Sequence, residues 1–386
     1  MTNYLDNLDV IDSNGQSYNV LIQDRNTLAL ANNAITLINN LKTYLSSIYP
    51  TIKDYGAAGD GITDDSSAFS DCINANDVVV IPDGTYLINY EGSVSNKLII
   101  GMGGKIITTT NIKFSNFHDI TIYNLEIDGQ SIAPIPLYFD IGHRAHLYNC
   151  HIHHGTIICL QFSAADGAIV DNCVLHDTTD SSLSNTVIAF NVPVGYPTGY
   201  EELVNVVNNT ECYNGGLDGI IANMHYCTIT NCSLHDNGVR QPAAGIYANS
   251  KYNHIYANNQ SYHNSGNGID NVYCGNLIMT NNYCSNNDGA GIFTGDTHGA
   301  IISSNVCNSN GSHPLADVQS AGIGIGVNAD SVIVSNNISN LNVYGIKSKT
   351  PNTQVKLSGN LCNSNTTSDI SMESNYELAD FTTVTV

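Results

Sequence analysis

From about residue 149 onward, short apolar runs alternate with polar breaks on a regular beat. Asn marks the breaks, at Asn149, Asn172, Asn209, Asn231, Asn259, Asn282, Asn305, Asn337 and Asn360. The steps 149 to 172, 259 to 282, 282 to 305 and 337 to 360 are each 23 residues, and 209 to 231 is 22. About nine residues after most of these Asn comes a Gly-Ile pair: Gly219-Ile220, Gly268-Ile269, Gly291-Ile292 and Gly345-Ile346, with Gly245-Ile246 later in a longer unit. A fixed period in the twenties indicates one small structural unit stacked on its neighbours. Each unit is short, rich in β-formers and broken by Asn, Asp, Gly and Ser. The pattern predicts an all-β, right-handed, single-stranded parallel β-helix with three strands per rung.

The recurring Asn has a physical reason. Asn tolerates left-handed backbone angles and bonds neighbouring backbone in turns. Stacked at one corner of every rung, its amides can also bond to the Asn above and below. The Ile after each Gly is expected to face the core. So are Ile229, Ile255, Ile278, Ile302 and Ile333, which precede the Asn. Cys follows the Asn by one or two positions at Cys150, Cys173, Cys232, Cys284, Cys307 and Cys362, which predicts a column of small buried hydrophobes.

The first 50 residues differ. Residues 7–22 predict a strand or extended arm. Residues 25–48 predict a helix, with Leu28, Ala31, Ile35, Ile38 and Leu45 on one stripe widened by Ala34, Leu41 and Ile48, and interrupted by Lys42. That stripe either packs on its own β-helix or forms a short coiled-coil stalk between chains. Pro50 and the change in composition mark a hinge. The expected division is therefore an arm and helix over 1–50 and the β-helix over 51–386, with an N-terminal cap at 51–90.

That cap carries a family resemblance. The run from Thr51 to Asp65 (TIKDYGAAGDGITDD), then Ser66 to Ile73, then Val78 to Leu87 (VVVIPDGTYL), resembles the opening motif of the pectate-lyase superfamily. Gly56, Gly59 and Gly61 permit tight turns. Thr63 is expected to cap a helix whose first turn holds Asp64 and Asp65, favourable at the positive end of the helix dipole. Ala68, Phe69, Cys72 and Ile73 form its buried face, and the helix plugs the open end of the solenoid. The Asp64-Asp65 pair is thereby given a structural role.

Composition narrows the partners. The chain has 386 residues and a net charge of −22, which argues against nucleic acid or an anionic membrane. Eleven Cys without CxxC pairs are largely explained by the repeat, so free thiols are expected, as for folding in a reducing cytoplasm. No segment has the pattern of a signal peptide or a membrane span.

Three units exceed the basic period, and their extra residues flank the strand that begins at Gly-Ile: Gly238–Ala243 and Gly311–Ser320 before it, Pro193–Glu202 after it. Such insertions wall a groove, and binding faces gather them. Alternation places Ile221, Tyr247, Asp270, Phe293 and Lys347 outward along that groove, with Asp218, Ala244, Asn267 and Ala290 at its corner. Asp218 and Asp270 lie two rungs apart, roughly 10 Å or more, on either side of Tyr247. Carboxylates at that spacing suit acid/base work on a glycan, with inversion if the reaction is hydrolysis. Alternatively they are turn and surface carboxylates on a solvated sheet. A lyase would instead need a base for the C5 proton and a cation for the uronate carboxylate. Arg240 is the candidate cation, and Glu201 and Glu202 are reserve acids.

A second set is a His column. His153, His176, His235 and His263 each lie four residues after an Asn of the series, Tyr213 takes the same slot, and His154, Asp177 and Asp236 sit one place on. His235 is the candidate general base. The other reading is stacking on an outer sheet face. No metal is expected, because adjacent His lack an evident third ligand. Tyr200, Tyr213, Tyr247, Phe293, Asn249, His176 and His263 are the candidate sugar-binding residues, with Tyr196 and Tyr273 as further stacking rings; Tyr is also common on β surfaces.

The superfamily resemblance covers residue 51 to about 370. It implies polysaccharide lyases, glycoside hydrolases, uronan epimerases or phage tailspikes. The aspartate-proline-histidine run of alginate epimerases and the Asn-Thr-Asp and Gly-His-Gly set of polygalacturonases are absent. With the N-terminal arm and striped helix, the chain resembles a phage tail spike. That implies a homotrimer on the virion, in contact with other tail proteins, which cleaves host surface polysaccharide without a cofactor, or with Ca2+ if it is a lyase. The alternatives are a non-catalytic receptor-binding or structural tail protein, and a bacterial polysaccharide lyase or epimerase.

Overall fold

Gly recurs before Ile because the rungs approach closely there. In the computed structural model, a Cβ on Gly268 would sit 2.5 Å from the carbonyl oxygen of Gly291, one rung on, and one on Gly219 would sit 2.7 Å from that of Gly245. Only hydrogen fits. The next residue turns inward, and Ile220, Ile246, Ile269, Ile292, Ile323 and Ile346 stack with no solvent exposure. Each contributes about 1.5–3 kcal/mol by burial.

The structure describes residues 6–11, 17–22, 32–37, 40, 44, 48–178, 185–192, 203–239, 243–313, 317–373 and 376–378. The chain divides into two units, Met1–Thr51 and Ile52–Val386. In the first, strands Asp6–Ile11 and Ser17–Ile22 pair antiparallel. Residues 32–37, 40, 44 and 48 are helical and exposed.

The second unit is a right-handed parallel β-helix with three strands per rung. One rung runs through Ile246–Asn249 on the first face, Ile255–Ala257 on the second and Gln260–Tyr262 on the third. Each strand pairs parallel with its equivalent one rung away, as Ile246 with Ile269, Ile255 with Ile278 and Gln260 with Tyr283. At the N-terminal end, helix Ser66–Ala75 buries Ala68, Phe69, Cys72 and Ile73. Phe69 meets Tyr90 edge-on at 5.1 Å, and Phe114, Phe139, Phe162 and Phe190 continue that column inside the coil.

Thr63 does not cap this helix. It lies in strand Asp60–Asp64, where its hydroxyl donates to Asp60 Oδ2 at 2.8 Å. Asp65 holds the N-cap position, but its carboxylate accepts from the backbone N–H groups of Ala58 (2.6 Å) and Gly59 (3.2 Å). It pins the glycine loop; neither acid lies in the helix's first turn as expected, because the helix begins at Ser66 and Asp64 ends the preceding strand.

The Asn series is in fact two columns, one residue apart. Asn149, Asn172, Asn209 and Asn231 are exposed corner residues with φ of 47–56°. Their register equivalents in later rungs are Asn258, Asn281, Ser304, Asn336 and Gly359, also with positive φ. Asn259, Asn282, Asn305, Asn337 and Asn360 sit one place further on and are buried. From Asn259 to Asn337 each Nδ2 donates to the Oδ1 of the next Asn, at 2.9–3.0 Å. A second ladder, buried from Asn237 through Asn264, Asn287 and Asn310 to Asn342 and ending at the half-buried Asn365, runs along the corner between the third and first faces, and sequence reasoning missed it.

The one-residue offset has consequences. Ile229 and Ile302 are buried as expected, but Ile255, Ile278 and Ile333 are 38–41% exposed. Tyr256, Met279 and Val334 take the inward slot instead. The cysteines also form two stacks: Cys150, Cys173 and Cys232 lead into the Asn259 column, while Cys212, Cys284, Cys307 and Cys362 lie within third-face strands. All eleven are buried and free.

Candidate active site

A pocket lies against the outer side of the first face, beside Ala243 at the end of the insertion. It has a volume of about 230 Å³ and is lined by Leu217, Asp218, Ala243, Ala244, Tyr247, Gly266, Asn267 and Asp270. Two predicted acids and the aromatic between them are thus brought together. The Gly-Ile strands fix them: Tyr247 and Asp270 are cross-rung partners one place after the inward Ile, and Asp218 precedes Gly219 at the corner.

The two carboxyls are held differently. Asp218 Oδ1 accepts from the Ala244 N–H at 2.7 Å. Burial pushes this carboxyl up to about 7, against the lowering effect of that N–H and with help from the charge of Asp270. Asp270 Oδ2 accepts from Asn267 Nδ2 at 2.8 Å, while its Oδ1 is shielded from solvent and meets no protein donor. Burial pushes Asp270 up to about 6, against the Asn267 bond. Two carboxyls raised to neighbouring values near neutrality can divide the roles of acid and base. Tyr247 is itself raised by burial, and its oxygen accepts from Asn249 Nδ2 at 2.9 Å.

Asn267 was placed at the corner by the sequence but not given a role. Its Oδ1 accepts from Ala290 N at 2.7 Å, which orients the amide towards Asp270 three residues later. The recurrence of polar residues at this corner, Asp218 then Asn267, was the available signal.

The remaining candidates lie elsewhere. Phe293 follows Asp270 in the outer column, but it does not line the pocket; its ring lies against Gly295, Gly324 and Gly326. His176, Tyr213 and His235 belong to the outer side of the third face, stacked with His153 and Tyr262 at ring spacings of 4.6–5.2 Å. The pocket lining includes none of them. His263 is not in that column. Tyr262 holds the slot by register, and His263 is a corner residue with φ of 55°. The one-residue offset of the Asn series misplaced it. Arg240, Glu201, Glu202, Tyr196 and Tyr200 lie outside the described residues.

The description "Rhamnogalacturonase A/epimerase, pectate lyase-like" matches residues 50–270, more than half of the 386 residues. The chain belongs to this pectate lyase-like family. "Right handed beta helix region" matches residues 216–382. The pectate lyase-like chain is 25% identical over 247 residues to the pre-neck appendage protein of Bacillus phage B103, and 24% over 246 residues to that of Bacillus phage phi29. These matches span 59% and 57% of this chain but only 27% of each appendage protein. In fold it is similar to the A-module of a mannuronan C-5 epimerase from Azotobacter vinelandii (TM-score 0.67, 16% identity, 86% of this chain and 100% of that one). It is similar also to the enzymatically active domain of tailspike protein 2 of bacteriophage CBA120 (TM-score 0.54, 10% identity, 84% and 51%). A third likeness is to the catalytic unit of an α-1,3-glucanase from Streptomyces thermodiastaticus (TM-score 0.54, 15% identity, 87% and 69%).

Proposed function

We propose that this pectate lyase-like chain is a phage tail-appendage depolymerase that binds a polysaccharide along the first face and hydrolyses it between Asp218 and Asp270. Asp218, with the higher pKa, donates a proton to the leaving glycosidic oxygen. Asp270, the more acidic of the two, is ionised and activates a water held in the pocket. Tyr247, between them in the pocket, offers a ring face to the sugar. Their strands are two rungs apart, so roughly 10 Å separates the backbones and the expected outcome is inversion. The observation that carries this reading is the shared pocket of two carboxyls raised by burial.

Hydrolysis is favoured over β-elimination by the lining. No Lys or Arg is among the described residues of the pocket, and the ionised Asp270 would repel a uronate. The hydrolytic step needs no cofactor. The appendage and tailspike names of its relatives support a place on the virion tail, acting at the host surface. Residues 1–50 are assigned to attachment and to assembly of a homotrimer.

The test is incubation with bacterial surface polysaccharides. New reducing ends without ultraviolet absorbance support hydrolysis, and absorbance from an unsaturated product shows elimination instead. Binding without cleavage would make the chain a receptor-binding protein. Full activity in both Asp218→Ala and Asp270→Ala, with unchanged circular dichroism, would refute the site.

A further inference from the structure

The outer side of the third face carries a second cluster, outside the pocket. Strands Glu126–Asp128, His151–His153 and Val174–His176 pair in register, stacking Glu126 beside His151, and Asp128, His153 and His176 in a row. Donor atoms of Glu126, His151 and His153 all lie within 4.8 Å of one another. His153 is buried, with Nε2 3.2 Å from Glu126 Oε1. His151 Nε2 lies 2.7 Å from His176 Nε2.

We propose that Glu126, His151 and His153, with His176 as a fourth donor, form a binding site for a divalent transition-metal ion such as Zn2+. The sequence offered no third ligand for its histidines because the early rungs near Asn124 are irregular; the register supplies Glu126. A tetrahedral zinc with bonds of about 2.0–2.1 Å spaces its ligand atoms by roughly 3.3 Å, close to the 3.2 Å between His153 Nε2 and Glu126 Oε1. The surroundings fit as well. Asp177 Oδ2 lies 2.8 Å from His176 Nδ1, so Nδ1 carries the proton and Nε2 turns its lone pair towards His151. A carboxylate behind a histidine is the arrangement that orients metal-bound imidazoles. Three carboxylates, Glu126, Asp128 and Asp177, face one ammonium, Lys105, which leaves the cluster negative while the imidazoles are neutral. Imidazole donors suit Zn2+, Co2+ or Ni2+, whereas Ca2+ requires oxygen ligands throughout.

Lys105 makes the proposal testable without touching a ligand. Its Nζ lies 2.9 Å from both Glu126 Oε1 and Asp128 Oδ2 and competes with a metal for Glu126. The full chain, stripped with chelator, is titrated with ZnCl2 by calorimetry and with CoCl2 by visible absorption. About one equivalent of Zn2+ should bind, and Co2+ should show an intense tetrahedral band. Lys105→Gln should tighten binding several-fold, Asp177→Asn should weaken it about 10–100-fold, and His151→Ala should abolish it. No saturable binding by the wild type overturns the site. So does wild-type affinity in a folded His151→Ala variant. If that variant does not fold, weaker binding in Lys105→Gln than in wild type, or an octahedral Co2+ spectrum, overturns it equally.

Discussion

Replacing Asp218 with Asn separates what the carboxyl costs the fold from what it does for the substrate. Its pKa rises from an ordinary 3.8 to about 7 in the folded chain, chiefly through burial. Each unit is worth about 1.4 kcal/mol, so holding Asp218 ionised above neutrality costs the folded state up to about 4 kcal/mol. The groove side of the residue remains partly open to solvent, which brings the expected figure to about 2–4 kcal/mol. The sign follows from linkage. Below about pH 4 the carboxyl is protonated in folded and unfolded chains alike, and there is no penalty. Between about pH 4 and 7 the unfolded chain ionises while the folded one resists, so stability falls; above the folded value the penalty is constant. Asn keeps an oxygen for the Ala244 N–H; a neutral amide accepts less strongly than a carboxylate, but that bond is already counted against the rise to about 7. Asp218→Asn should therefore match wild type near pH 4, exceed it by about 2–4 kcal/mol at pH 8, and hydrolyse nothing. Urea unfolding of both proteins from about pH 4 to 9 gives the difference curve. A difference that stays constant with pH would refute the buried-acid argument.

The same pair sets the rate profile. With Asp270 ionised and Asp218 protonated, kcat/KM should follow a narrow bell whose limbs lie near pH 6 and 7 and belong to the pair jointly; a flat profile across that range would count against it. Asn282→Ala removes four hydrogen bonds, to Tyr256 O, Asn305 Oδ1, and Asn259 N and Nδ2, and should cost about 3–6 kcal/mol. Asn281→Ala, at an exposed left-handed corner with φ of 56°, should cost only about 1 kcal/mol, and thermal unfolding that showed equal losses would contradict the two-column assignment. Deleting residues 1–50 should dissociate the proposed homotrimer to monomers by light scattering, and an unchanged mass would remove the assembly role from that segment.

The β-helix was legible because stacking converts one physical demand into one repeated residue. Where a neighbouring carbonyl lies within 2.5–2.8 Å of a would-be Cβ, only Gly serves, so the Gly-Ile pairs at Gly219, Gly245, Gly268 and Gly291 mark the first face. The groove residues were read from that marker, which is why Asp218, Tyr247 and Asp270 proved to share a pocket. Asn is a poorer marker because it satisfies two demands at adjacent positions. At Asn231 it supplies a left-handed corner, and at Asn259 a buried amide with all its donors and acceptors used. Sequence spacing cannot tell these apart, so the count slipped by one, and Ile255, Ile278, Ile333 and His263 slipped with it. Glu126 was hidden for a related reason: before Asn149 the beat is irregular, and only the hydrogen-bonded register aligns it with His151. The link from Asn267 to Asp270 was hidden differently, since it depends on how Ala290 N turns the amide at the corner. Chemistry in this chain therefore sits where the repeat is broken. The inward column is isoleucine in every rung from Ile220 to Ile292, whereas the outward column beside it runs Ile221, Tyr247, Asp270, Phe293. The uniform column makes the scaffold rigid, and rigidity is what allows two carboxyls to stay buried near each other at a cost that a looser surface would relieve by rearranging.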